Sequence, residues 1–428
     1  MDRNLRVLIY PSGSENALEV KEALSNVVNI EIYGASSKYD HSEFVYKRFI
    51  KAPNVTDENF IDIFNSILLK EKIDIVIPTH DTVALELKRL ESKLSAMVLS
   101  SSYETTLVCR SKRRIYDIFK SYDFCPTIYD LQSRINYPCY LKPDIGEGGK
   151  FSLIIKNKLE LDFYLEYYAD KDPLLVEYLP NEEFTVDCFT DKDRNLRYVG
   201  ARKRNRVFSG ISVNSSSFYD ERINSIAGII NQVLEFNGYW FFQLKKDINN
   251  EYKLLEVSVR PAGTMVLYRQ RGINFILLSI YNLLNYKTDI IDNGFDIELD
   301  RCFLNRYKIN IEYNTIYSDF DDTIICNNRV NKKLLCLLFQ AKEQGKDIIL
   351  ISKNNGKIKD SLKEYCIDPR LFTQIILLTQ DEEKSNFIKH ESSIFIDNSF
   401  NERKKVSDIC GIPVFDVNSI DCLLDWKA

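Results

Sequence analysis

The chain has 428 residues, a formal net charge of −5 and 28% charged residues, with 45% hydrophobic and 12% aromatic content. That length suits two to four modules, and the composition supplies packed cores and excludes a disordered chain. The acidic balance excludes nucleic-acid binding by bulk electrostatics. The ten cysteines have neither zinc-ligand spacing nor a compact disulfide framework, so they read as reduced core thiols of a cytoplasmic protein. Three histidines argue against a histidine-rich metal site, and the most apolar run, 275–284, is too short to span a bilayer.

Residues 1–95 alternate strand and helix patterns. Val7–Tyr10 is predicted as a strand ending at Pro11-Ser12-Gly13-Ser14, and Ala17–Leu24 has helical spacing. This opening reads as a first strand and turn, not a secretion signal. Asn29–Tyr33 and Ile73–Ile77 are further predicted strands, the second running into the site-facing loop Pro78-Thr79-His80-Asp81. Together they predict a small doubly wound α/β unit. The Ser12-Gly13-Ser14 turn lacks the dinucleotide glycine pattern and reads as a plain strand–helix turn.

Residues 96–310 have a different rhythm. Lys112-Arg113-Arg114 opens an amphipathic helix, and the strand Cys139–Pro143 leads into Gly146-Glu147-Gly148-Gly149-Lys150. Glycines let a backbone fold closely over phosphates with its amides as donors, and Lys142 adds fixed positive charge. The same residues also fit a hairpin turn with an ordinary surface lysine. Leu174–Pro180 reads as a strand entering a turn, and Glu182–Asp187 starts the next strand. Phe241–Lys245 is predicted to pair with Lys253–Arg260 across Asn249-Asn250. On that pair Gln243, Glu256, Ser258 and Arg260 can face one side, an oxygen-rich face beside an arginine that suits Mg²⁺ bound to nucleotide phosphates. The basic run 201–206 fits a solvated strand. It also fits a carboxylate clamp, because Arg202 and Arg204 share a strand face.

Over residues 1–300 the chain resembles the ATP-grasp superfamily, and within it the carbamoyl-phosphate-synthase-like carboxylate–amine ligases. The resemblance is carried by Lys112, by Lys142-Pro143 before Gly146, Gly148 and Gly149, by Glu177-Tyr178-Leu179, by Glu183, and by Gln243 with Glu256-Val257-Ser258-Val259-Arg260. It implies that Lys112, Lys142, the glycines, Glu177, Leu179 and Glu183 bind ATP, with Glu183 on the ribose. It implies Mg²⁺ on Gln243, Glu256 and Ser258, the last standing where the family carries asparagine. Arg202, Arg204 and Arg260 would hold the carboxylate and its acyl phosphate. Phe151 stands where the family has a glycine.

Residues 312–428 hold a third pattern. The short strand around Ile316-Tyr317-Ser318 runs into Asp319-Phe320-Asp321-Asp322-Thr323. Acids crowded at the carboxyl end of a strand repel one another unless a cation neutralises them, and open α/β sheets place ligand sites there. Alone, such a loop also fits a solvated turn. The strand Asp347–Ile351 then ends in Ser352, Lys384 opens a helix after Leu377-Leu378-Thr379-Gln380, and Ser393–Ile396 ends in Asp397-Asn398-Ser399. A hydroxyl, an ammonium and a third carboxylate near one sheet edge suit phosphoryl chemistry.

This series resembles the haloacid dehalogenase-like phosphatases, with all four motifs in order. The resemblance implies a nucleophile at Asp319, a general acid/base at Asp321, and phosphate binding by Ser352 and Lys384. It implies Mg²⁺ on Asp319 and Asp397 and on the backbone carbonyl of Asp321. The intervals between motifs leave no room for a cap domain, which implies an open site. The expected fold is therefore multidomain α/β and α+β: a pre-ATP-grasp domain (1–95), an ATP-grasp domain (96–310) and a Rossmannoid domain without a cap (312–428). The expected function is an ATP- and Mg²⁺-dependent carboxylate–amine ligase fused to a phosphatase. Its expected partners are a small carboxylate, an amine and a phosphate ester, with a homodimer the candidate assembly and no nucleic acid or membrane involved. The alternatives are a nucleotide-binding regulator with an inert C-terminal module, and an ATP-grasp kinase.

Overall fold

The computed structural model describes residues 4–427 except 133, 147, 169–172, 308, 354–357, 390 and 426. Glu147 of the glycine loop and His390 therefore lie outside the described residues. The chain forms two compact units, one reaching Phe303 and the other spanning Leu304–Lys427.

The first unit opens with five parallel strands: β1 (Leu5–Tyr10), β2 (Ile30–Ser36), β3 (Phe49–Lys51), β4 (Ile75–Pro78) and β5 (Met97–Val98), in the order β3-β2-β1-β4-β5. Their alternate faces are both apolar, as expected for a parallel sheet covered on two sides. The order reverses at β1 and β4. The turn after β1 is capped by Ser14, which accepts from the Ala17 amide and starts the helix Glu15–Leu24.

A three-stranded sheet follows, β7-β6-β8, built from β6 (Cys139–Pro143), β7 (Leu153–Ile155) and β8 (Pro173–Glu177). The large sheet is β9 (Glu183–Thr190), β10 (Leu196–Phe208), β11 (Ile211–Phe218), β12 (Gly238–Lys246), β13 (Tyr252–Ser258) and β14 (Glu298–Asp300), in the order β13-β12-β9-β10-β11-β14. Its period-two alternation positions the site. Phe184, Val186, Cys188, Trp240, Phe242 and Leu244 enter one core, while Glu183, Thr185, Gln243 and Lys245 face a pocket on the other side. One face of the first sheet has its own core, with Leu8, Tyr10, Phe64, Val76 and Val98, and the other face shares one with the large sheet. Val7, Ile9, Ile75 and Ile77 pack in one cluster with Tyr239, Phe241, Leu267, Ile276 and Ile280.

The second unit holds β15 (Thr315–Ser318), a small hairpin β16 (Ile325–Cys326) and β17 (Arg329–Val330), then β18 (Asp347–Ser352), β19 (Gln374–Leu377), β20 (Ser393–Ile396) and β21 (Val414–Phe415). Five of these form a parallel sheet, β19-β18-β15-β20-β21. With β15 in the centre, its carboxyl end is flanked by those of β18 and β20. Among the described residues no helix is long and apolar enough to cross a membrane. No disulfide forms, but Cys302, Cys336 and Cys366 are exposed, so the expected core thiols include only part of the set, such as buried Cys139 and Cys188. Those three sit on polar surface or connecting segments rather than on an inward strand face.

Candidate functional sites

A cavity of about 700 Å³ opens in the first unit, with the three-stranded sheet and the large sheet as its walls. Lys112, Lys142, Gly146, Gly148, Gly149, Glu177, Leu179, Glu183, Arg202, Arg204, Gln243, Glu256 and Arg260 all line it. Thr79 and His80, from the loop after β4, line it too. Residues as far apart in the chain as Ser14 and Arg301 are thus brought to one place.

Lys142 is buried on β6. Its ammonium donates to the Tyr116 hydroxyl at 2.5 Å, and that hydroxyl donates to the Leu255 carbonyl at 2.8 Å. Burial lowers the Lys142 pKa to about 7, with the nearby Lys112 ammonium adding to the effect. Lys112 itself donates to the Asp144 carbonyl at 3.2 Å. The Asp144 carboxylate accepts from the Ser111 hydroxyl and the Arg113 amide, which pins the start of the Lys112–Phe119 helix to the end of β6. The Glu177 carboxylate accepts from the Thr127 amide at 2.6 Å.

The arginines depart from expectation. Arg202 and Arg204 do share the pocket face, but each is already engaged. Arg202, 1% exposed, makes a two-pronged pair with Asp187 at 2.5 and 2.9 Å and also donates to Thr264. Arg204 pairs with Glu183, donates to Gln243 at 3.2 Å and donates to the Gly210 carbonyl at 2.7 Å. The Nε–H of Arg204 is buried with no hydrogen-bond partner among the described residues. Neither guanidinium is a bare clamp, because a buried arginine is tolerated only with a counter-charge.

Ser258, expected beside Glu256 as a metal ligand, donates its hydroxyl to Asp81 at 2.6 Å, and Arg260 meets the other Asp81 oxygen at 2.9 Å. Burial alone would raise the Asp81 pKa, but Arg260 and Ser258 outweigh it and hold the carboxyl down near 2. Asp81 therefore claims the serine for the seam between the loop after β4 and the end of β13. Gln243 and Glu256 stand opposite each other in register across β12 and β13 and both face the cavity. These two oxygen donors fit a magnesium–nucleotide contact without Ser258.

In the second unit Lys384 is the centre. Its ammonium lies 3.0 Å from Asp319 and 2.7 Å from Asp397, and all three side chains are buried. Burial, reinforced by Asp397 and only partly offset by Lys384, raises the Asp319 pKa to about 6. The remaining Asp397 oxygen accepts from the Ser399 amide at 2.7 Å. Ser352 is buried at the end of β18, beside β15. Asp321 is exposed, and its backbone bridges to Ile325. Thr323 and Asn398 are mutually bonded: the Asn398 amide donates to the Thr323 hydroxyl at 3.0 Å, and that hydroxyl donates to the Asn398 side chain at 3.1 Å.

Among the described residues no three Asp, Glu, His or Cys side chains converge as a cation cage. Lys384 stands between the Asp319 and Asp397 carboxylates, the two side chains expected to hold Mg²⁺ together with the Asp321 backbone carbonyl. Two buried carboxyls around one ammonium still leave surplus negative charge, which fits a divalent cation at the strand ends.

Sequence reasoning placed Asp81 in a site-facing loop without its partners and missed Asp187, Tyr116, Asp144 and Gly210. Tyr116 was within reach of it, since Tyr116 lies four residues after Lys112 on one helical face. The rest are brought in by sheet register or long-range packing.

Known proteins bear on the first unit. A family described as "ATP-grasp in the biosynthetic pathway with Ter operon" matches residues 169–299. The carbamoyl phosphate synthase large chain of Clostridium acetobutylicum is 21% identical in a 308-residue alignment that covers 66% of this chain and only 28% of that relative's length. In structure, the chain resembles the biotin carboxylase domain of Hydrogenobacter thermophilus 2-oxoglutarate carboxylase, solved with MgADP, ADP and bicarbonate. The TM-score is 0.57 at 15% identity, over 68% of this chain and 72% of that one. It also resembles Staphylococcus aureus N5-carboxyaminoimidazole synthetase with ADP (TM-score 0.56, 14% identity, 68% and 79% covered) and Bacillus licheniformis L-amino acid ligase (0.52, 16%, 67% and 75%). Residues 169–299 thus match an ATP-grasp family model, and the first unit has the fold of these solved structures. The phosphatase-like reading of 312–428 finds no support in these matches, although the parallel sheet is present there.

Proposed function

We propose that the first unit is an ATP-dependent carboxylate–amine ligase. The observation that carries this reading is the convergence of Lys142, the glycines 146, 148 and 149, and the Gln243–Glu256 pair on one cavity that also contains Arg202, Arg204 and Arg260. Lys112 and Lys142 bind the phosphate chain of ATP, and Glu177, Leu179 and Glu183 hold its adenosine. Gln243 and Glu256 would hold Mg²⁺, which when bound neutralises phosphate charge. Arg260, beside the braced Arg202 and Arg204, orients the substrate carboxylate for in-line transfer to an acyl phosphate. An amine then displaces the phosphate. The relatives named for carboxylation and for amino acid ligation support this class of reaction, not a particular substrate. Screening ADP release against pooled carboxylates and amines tests it: amine-stimulated ADP release is expected, and an ATP-binding protein silent to every pool would contradict it.

We further propose that residues 312–428 form a phosphatase of the haloacid dehalogenase-like kind. The Lys384 ammonium shared by Asp319 and Asp397 carries this reading. Asp319 attacks phosphorus and becomes an aspartyl phosphate. Asp321 protonates the leaving oxygen and later takes a proton from the attacking water. Lys384 and Ser352 hold the phosphate oxygens. Asp319, Asp397 and the Asp321 backbone carbonyl would hold Mg²⁺. Hydrolysis of aryl phosphates by the parent and not by Asp319→Asn is the expected result.

A second reading of the first unit is nucleotide binding without ligation. It is favoured by the prior engagement of Arg202 by Asp187 and of Arg204 by Glu183. The same ADP screen separates the two.

A further inference from the structure

We propose that the turn Ser209–Gly210 is the seat on which the glycine turn at Gly148 closes, and that Arg204 couples this seat to the pocket floor as a positioning residue. The proposal rests on the nucleotide reading of the first cavity.

Two left-handed turns meet here. Ser209 and Gly210 join β10 to β11 with φ of 49° and 77°, and Gly148 and Gly149 have φ of 59° and 67°. The β10–β11 ladder is irregular between Arg204 and Val207, which lets the hairpin tip bend away from the regular sheet. A Cβ at position 210 would lie 2.7 Å from the Gly148 Cα and 2.5 Å from its carbonyl oxygen. Those are backbone atoms that cannot swing aside, so a side chain at 210 would force the two turns apart. The demand is asymmetric. A Cβ at 148 would meet only the Ser209 carbonyl oxygen, at an ordinary 3.5 Å, and a Cβ at 149 would meet nothing within 4 Å. Gly149 is thus needed for its backbone angle alone, whereas Gly210 is needed for the contact as well.

Arg204 links this seat to the pocket. One of its terminal nitrogens donates to the Gly210 carbonyl at 2.7 Å, and the other reaches Glu183 and Gln243. Displacing the turn therefore disturbs the guanidinium that orders two residues assigned above to ribose and metal. A nucleotide engaging the glycine turn is held in a site whose two walls are joined through Gly148 and Gly210.

A comparison of positions 294 and 210 supplies the test, because Gly294 has φ of 69°, lies outside the cavity lining, and a Cβ there would meet nothing within 4 Å. Gly210→Ala and Gly294→Ala each put alanine at a positive φ, with similar backbone strain, but only the first obstructs the seat. In the full-length chain, titration with ADP in the presence of Mg²⁺ should show Gly210→Ala weakened about tenfold or more and Gly294→Ala less than about threefold. Amide exchange over 150–153 in the nucleotide-free protein should quicken in Gly210→Ala. Equal effects of the two substitutions overturn the seat. Absence of ADP binding by the unsubstituted chain overturns the nucleotide reading and the proposal with it. If Gly210→Ala does not melt cooperatively, Arg204→Lys is read instead. It keeps the charge but cannot reach all three acceptors, so weaker binding with faster exchange supports the coupling, and unchanged affinity contradicts it.

Discussion

The two units treat buried charge in opposite ways. In the first, each pocket arginine has its own carboxylate: Asp187 for Arg202, Glu183 for Arg204 and Asp81 for Arg260. Lys142, by contrast, has a phenol for a neighbour and a pKa near 7. In the second, two buried carboxyls share one ammonium. The first site sets the Lys112 and Lys142 ammoniums near the Glu256 carboxylate and is suited to receive an anion that brings its own cation. The second has an excess of negative charge and is suited to receive a cation and an electrophile. A basic or acidic motif thus says less about a site than the balance left after internal pairing.

Lysine substitutions should separate the two cases most strongly. Lys384→Ala strands two buried carboxylates, so the second unit should lose about 3–5 kcal/mol, read as a lowered denaturation midpoint. Lys142→Met removes a lysine that is costly to charge, so stability should move by less than about 1 kcal/mol. Nucleotide affinity should nevertheless fall about 10- to 100-fold by calorimetry, the loss expected for a charged hydrogen bond. A large stability loss in Lys142→Met would erase the contrast.

The contrast also sets a pH dependence. The folded Lys142 pKa lies below the unfolded value, so the folded state binds fewer protons between about pH 7 and 10.5. In that window stability rises with pH, and below it the cost of charging Lys142 is fully present. Bound phosphate favours the ammonium, so nucleotide binding at pH 8 should take up about one proton and should weaken as pH rises above 7. Titrations in buffers of different ionisation enthalpy measure that uptake, and Lys142→Met should abolish it. The smallest effect on activity is expected at Ser258. Ser258→Ala breaks a hydrogen bond to a charged partner and should cost about 1.5–3 kcal/mol of stability or less, with the magnesium dependence of ADP formation unchanged. A shifted magnesium requirement would return Ser258 to the metal.

The second site was the more legible in sequence for a simple reason. Asp319, Ser352 and Asp397 each follow a short apolar strand, and parallel neighbours bring such ends together whatever the loops do. The strands of the large sheet were legible too, because Phe241–Lys245 and Lys253–Ser258 carry strong alternation across an Asn-Asn turn. The pairings within the first cavity were not. Arg260 and Asp81 lie 179 residues apart, and Arg202 meets Asp187 only through the β9–β10 register. Alternation correctly put Ser258 on the face of Glu256, but it does not say which neighbour takes a hydroxyl, and Asp81 took it. Nor did the pattern near residue 95 reveal that Val7 and Ile77 share a core with Phe241 and Ile280.

The central claim is that the two sites perform separate chemistries, and a crossed assay of Glu256→Ala and Asp319→Asn tests it most directly. ADP release with pooled carboxylates and amines is measured beside hydrolysis of an aryl phosphate, for the parent and both variants. Glu256→Ala should lose ADP release and keep hydrolysis. Asp319→Asn should lose hydrolysis by at least about 10³-fold and keep ADP release. A folded variant that loses both activities, or an Asp319→Asn protein that hydrolyses at the parental rate, would contradict it.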